Sequence, residues 1–323
     1  MKRTSFAIPV VLAIVMSTAG CGKTDKPAAY DDKTPQSAGI SEKQITASTD
    51  QASAEKLNAY TQGYNIMMRG AGGVSATYKQ MQKFADWAKV EDNLILPVMS
   101  DLSGALDSFN KGLAISGGRV DDLDMAVKPV VEAGEKLLAQ QKELEPYFKS
   151  KAYKDDHLAK GKAAFPEMLA NYEAIIAGMD KVDMLLTGYQ RVNVEKRLAE
   201  FKKKGDMLRF HTEESMLLAQ DLLGVFKDPE KSVKSAESYV KADEIVARLE
   251  ASLKAQRKAI DKEKGKGAHV GMYESINGNL MGLIESYHDL RQKKTGYAYN
   301  NMTKRYNYAV DSYNRATRLG RSS

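Results

Sequence analysis

From Leu57 onward, apolar residues recur three and four positions apart, the period of helices that bury one face. Leu57, Tyr60, Tyr64, Met67, Ala71, Val74, Tyr78, Met81, Ala85 and Ala88 keep this spacing without a miss. Such a heptad-like seam packs against other helices. It runs through Gly70-Ala71-Gly72-Gly73, which predicts a bend, or a short break between two collinear helices. A second helix is expected after Asp92-Asn93, carrying Val98, Leu102, Ala105 and Phe109 and ending at Ser116-Gly117-Gly118. A third carries Leu123, Val127, Val130, Gly134, Leu137, Gln141, Leu144 and Phe148, with Pro129 bending its first turns.

After Asp155-Asp156 the pattern resumes, passes Pro166 and continues to Lys227 with weak points at Gly188 and Gly205. Asp228-Pro229-Glu230 has the chemistry of a helix start, with a capping acid and a proline in the first turn. The seam beyond it is Tyr239, Ala242, Val246, Leu249, Leu253, Gln256 and Ile260, closed by Lys264-Gly265-Lys266-Gly267. A last helix aligns Ile276, Leu280, Leu283, Tyr287 and Leu290, then shifts register to Met302, Tyr306, Ala309 and Tyr313. No short repeat of solenoid length occurs. The expectation is an all-α fold: one elongated antiparallel bundle of long, coiled-coil-like helices over residues 52–320.

The first fifty residues follow other rules. Lys2 and Arg3 precede an apolar run from Phe6 to Met16, and Ser17, Thr18, Ala19 and Gly20 are small. That order describes a secretory signal over residues 1–20. Eleven helical residues cover about 16 Å, against about 30 Å of bilayer hydrocarbon, so the run is too short to span. The stretch Thr18-Ala19-Gly20-Cys21 resembles a bacterial lipobox. The resemblance implies cleavage after Gly20 and fatty acylation of Cys21, and Gly22 after the cysteine favours the outer membrane. Several acyl chains on one residue hold a protein at a bilayer far more firmly than one. Gly22 to about Gln51 is polar and aperiodic, a flexible tether whose thirty residues would span on the order of 30 Å.

Composition adds an address and removes some functions. Cys21 is the only cysteine, so no disulfide can brace the fold. The formal charge is +6, and eight basic residues against Asp311 alone give a local +7 from Arg291 to the end. That end is a candidate surface for an anionic envelope partner. Nucleic acid is not expected as a partner of an exported chain.

Two stretches carry a family likeness: Tyr147–Glu173, with Asp155-Asp156 leading to Ala159-Lys160-Gly161-Lys162, and Lys204–Leu223. They resemble the YiiG-like bacterial lipoproteins, helical envelope proteins whose domain has no assigned function. Phe165 stands where that pattern usually has a histidine. The resemblance implies a helical fold and an envelope address, and it brings no catalytic residues.

Candidate chemistry is sparse. Of four histidines, His288 follows Glu285 in a Glu-x-x-His spacing, half of a di-iron site whose second half is missing. His211 lies in register with Leu208, Ser215, Leu218 and Leu222, with Glu213 and Glu214 directly after it. A histidine with a carboxylate partner can move protons or hold metal, or can simply fix helix register. His211 and Glu214 are the pair of interest. The carboxy-terminal tyrosines are expected to pack between helices, with Tyr299 and Tyr308 off the seam. No nucleophile–base set, phosphate cradle or cofactor motif is present, and no cofactor or metal is expected. The leading expectation is therefore a non-enzymatic, lipid-anchored envelope protein facing the periplasm, a scaffold or binding module. An enzyme acting on envelope polymers, or a carrier of a small ligand or metal between helices, is the alternative.

Overall fold

The computed structural model describes residues 42–319 apart from 91, 227–228 and 267–269. Its helices are α1 (Glu42–Met67), α2 (Val74–Trp87), α3 (Leu102–Ala114), α4 (Asp121–Lys149), α5 (Ala159–Lys204), α6 (Met207–Val225), α7 (Pro229–Ser232), α8 (Ala236–Lys264), α9 (Gly271–Lys293) and α10 (Gly296–Leu319). Single 3₁₀ turns lie at Gly70–Gly72 and Ala152–Lys154, and no strand occurs among the described residues. The fold is an all-α bundle, as the periodicity predicts. The signal, Gly20, Cys21 and most of the tether lie outside the described residues. Helix α1 begins at Glu42, inside the stretch expected to be flexible. No proline or glycine lies between there and the buried Leu57, and a nucleated helix propagates until something stops it.

Three further boundaries differ from the sequence expectation. Residues 93–99 form neither helix nor strand, and the second helix starts only at Leu102. Pro97 is the cause: it disfavours helical backbone at Leu96 and leaves no amide of its own to donate. Asp228, the expected cap, lies outside the described residues, while Pro229–Ser232 form a single turn, α7, and the long helix begins at Ala236. Its cap is Ser235, whose hydroxyl accepts from the Ser238 amide at 3.4 Å. The register shift near Thr295 is a break between two helices, with Lys294 in left-handed backbone at φ 52.

The chain forms two compact units. The amino-terminal unit holds the described residues up to Met67 together with Met81–Asp183, and the carboxy-terminal unit holds Met68–Gln80 and Met184 onward. Helix α5 continues through Pro166 and Gly188. It ends at Gly205, which at φ 70 takes the left-handed conformation that closes a helix without strain.

In the amino-terminal unit Leu57, Tyr60, Phe109, Leu123, Val130, Leu137, Met168, Tyr172 and Ile175 are buried. Lys56 is buried with them, 2.5 Å from Asp124, whose other oxygen accepts from the Tyr60 hydroxyl. Asp124 sits in the first turn of α4, where negative charge is favoured by the helix dipole. In the carboxy-terminal unit the core joins Leu222, Leu249, Leu253, Leu280, Leu283, Tyr287, Met302 and Tyr306. Neighbouring helices run antiparallel. Ser275 of α9 meets Ser312 of α10 at 2.9 Å, and seven residues further along α9 the Arg305 side chain lies over Gly282.

Candidate functional site

The expected pair forms on α6. His211 Nδ1 lies 3.2 Å from Glu214 Oε2, and both side chains are partly buried. Ser252 of α8 donates to the same carboxylate oxygen at 2.7 Å, and Ser215 donates to Ser252 at 2.9 Å. The order matters chemically. A serine nucleophile needs the imidazole between hydroxyl and acid, whereas these bonds place Glu214 between Ser252 and His211. The Ser252 hydroxyl therefore donates its hydrogen bond to a carboxylate and not to an imidazole, and the cluster ties α6 to α8.

One residue back, Glu213 faces the core and is 3% exposed. Arg197 of α5 grips it in two bonds, Nε to Oε1 at 2.8 Å and a terminal nitrogen to Oε2 at 3.1 Å. The Tyr313 hydroxyl of α10 also donates to Glu213. Burial opposes the Arg197 charge, but Glu213 and the Tyr313 oxygen outweigh it and keep the guanidinium above its ordinary range. Burial, then the Glu213 charge, pushes the Tyr313 hydroxyl well up. Alongside, Gln256 donates to Thr212 at 2.9 Å, and Asn277 donates to Gln256 at 2.9 Å. This polar layer crosses α5, α6, α8, α9 and α10. Arg197 and Ser252, and the bond that Tyr313 makes from its expected seam position, are not legible in sequence because their partners are 16 to 100 residues away.

The remaining candidates stand apart. Glu285 and His288 are exposed, and His157 lies exposed in a turn at φ 52. Among the described residues no three His, Cys, Asp or Glu side chains are placed to hold a metal ion. His269 lies outside them. In the basic end, Arg291 pairs with Asp243 at 2.9 Å and Lys293 with Asp289 at 3.0 Å, so acids from earlier in the chain offset its first charges. Tyr308 is partly exposed beside Lys304 and Tyr297 is 75% exposed, but Tyr299, expected off the seam, is buried. Its position opens α10, after the break that resets the register.

The amino-terminal unit carries an open feature of a different kind. In the non-helical segment after Asn93, Leu94, Leu96 and Met99 are buried while Ile95 is 80% and Val98 45% exposed. Its start is fixed by the Leu94 amide donating to the Tyr153 hydroxyl at 3.2 Å. Between this segment and one stripe of α4 lies a groove of about 400 Å³. The helix side presents Leu138, Gln141, Lys142, Glu145, Phe148 and Lys149, spaced three and four apart. Pockets of this volume and apolar character are the common size for small-molecule sites.

A family model described as "protein of unknown function (DUF3829)" matches residues 51–319. The chain belongs to this family. No curated protein and no solved structure matches it. In this DUF3829 protein the two stretches singled out by sequence are both corners between helices. In the first, Asp156 accepts from the Tyr147 hydroxyl at 2.6 Å and from the Lys160 amide at 2.9 Å at the start of α5. Those two bonds hold its carboxyl below the usual range. Phe165 packs edge-on against Phe84 at 5.5 Å, and Phe84 against Phe148 at 5.7 Å. In the second, Asp206 caps α6 by accepting from the Arg209 amide at 3.1 Å.

Proposed function

We propose that this DUF3829 protein is a non-enzymatic binding module of the bacterial envelope, lipid-anchored through Cys21 and of the YiiG-like lipoprotein kind. The groove between residues 94–98 and α4 carries the binding half of this reading. It is open and apolar, while Arg197 and Glu213, and His211, Glu214 and Ser252, are bonded to one another within the polar layer. The address rests on the lipobox-like Thr18-Ala19-Gly20-Cys21 and on the polar stretch that would separate an anchor from α1. Lys304 and Arg305, which form no ion pair among the described residues, offer a second contact for an anionic envelope partner. No described helix is long and apolar enough to cross a membrane, so attachment would fall to the lipid.

The anchor is tested by feeding labelled palmitate to cells expressing the wild type and Cys21→Ala. Label is expected in the wild type alone, and Cys21→Ala is expected in the soluble periplasmic fraction. Equal membrane retention of the two forms would overturn the anchor.

A further inference from the structure

We infer that the groove between residues 94–98 and α4 binds a free long-chain fatty acid, its chain along the aliphatic walls and its carboxylate on Lys142. The inference rests on reading the chain as a binding module, and it names the ligand class. The walls are Leu94, Leu96, Val98 and Leu138, with Phe148 among the lining residues. Ile95 and Val98 leave much of their apolar surface in water, a cost that a covering hydrocarbon would remove.

The polar groups around the groove select the head of the ligand. Gln141 already donates to the Tyr172 hydroxyl at 3.0 Å, and Lys149 is 2.5 Å from Glu145. Lys142 is exposed and forms no ion pair among the described residues. The site therefore offers hydrocarbon contact and a single uncompensated positive charge, which match a monoanion with an aliphatic tail. A neutral lipid would leave that charge unused. An extended peptide fits less well, because Pro97 in the middle of the segment has no amide to add to a ladder of backbone bonds. The walls are also preformed. The Tyr153 hydroxyl fixes Leu94, and the Tyr172 hydroxyl bonds the Met99 backbone at the other end of the segment.

The test uses the mature chain carrying Cys21→Ala, so that no acyl chain of its own competes. Trp87 is the only tryptophan. Its ring is 6.0 Å from Phe84, which touches the groove residue Phe148. Oleate below its micelle concentration should change Trp87 fluorescence saturably, with one-to-one calorimetric stoichiometry. Ile95→Asp, at a site too exposed to threaten the fold, should weaken binding at least about tenfold. Lys142→Met should weaken oleate about three- to fivefold and leave oleyl alcohol unchanged. No saturable oleate binding to the parent chain, or oleate binding unaltered by Ile95→Asp, overturns the inference. Equal affinity for oleate and oleyl alcohol overturns the role of Lys142. If an extended apolar peptide saturates the groove and oleate does not, the fatty-acid assignment falls while the binding-module reading stands.

Discussion

At the scale of single residues, the carboxy-terminal unit turns on Glu213. Truncating either member of a buried, hydrogen-bonded ion pair strands the other, at a typical cost of about 3–5 kcal/mol. Arg197→Ala is expected to lower stability by that order in urea titrations. Replacing both partners with apolar residues of similar volume should cost less than Arg197→Ala alone. Gln190 is the converse case. It is 3% exposed, yet neither atom of its side-chain amide has a hydrogen-bond partner among the described residues. Gln190→Met should stabilise by about 1 kcal/mol, read as a higher denaturation midpoint with unchanged slope. Tyrosines add a pH dependence. Burial raises the hydroxyls of Tyr64, Tyr306 and Tyr313 in the fold, whereas the unfolded chain ionises near pH 10. The stability that comes from keeping these protons is whole below about pH 10 and is lost as pH climbs toward the folded values. Denaturation at pH 8 and 11 should show this decline, and Tyr306→Phe should flatten it. Of this chemistry, the sequence made His211 and Glu214 legible because they lie one helical turn apart. The hydroxyl of Ser252 and the charge of Arg197 are brought in only by packing.

At the scale of helices, a clean three-four period read correctly, as in α4, α9 and most of α5. Reading failed where proline met an apolar run. Val98 happens to fall four positions before Leu102, so a helical spacing masked the two-residue alternation of Leu94, Ile95 and Leu96. The groove was illegible for the same reason, since one of its walls is that segment. Helix contacts also give a paired prediction. An added Cβ at Gly112 would lie 2.3 Å from the Tyr60 ring, whereas at Gly188 nothing lies within 4 Å. Gly188→Ala should therefore stabilise by about 1 kcal/mol through helix propensity. Gly112→Ala should destabilise by about 1–3 kcal/mol through overpacking, although it gains the same propensity. Thermal unfolding followed by circular dichroism separates the two signs.

At the scale of the whole molecule, the two units solve different problems with one kind of element. The carboxy-terminal unit ties Arg197, Glu213, Tyr313 and the Ser252–Glu214 pair together across several helices. The amino-terminal unit interrupts its helices at Pro97 and leaves an apolar trough beside α4. On the proposed reading such a body holds a ligand in place, and the proposed lipid on Cys21 would decide where. The most direct measurement is the mass of the amino-terminal peptide from protein extracted from its host's membranes. A peptide beginning at Cys21 and heavier by a diacylglycerol group is the predicted result. A free thiol at Cys21, with the preceding residues still attached, would contradict it.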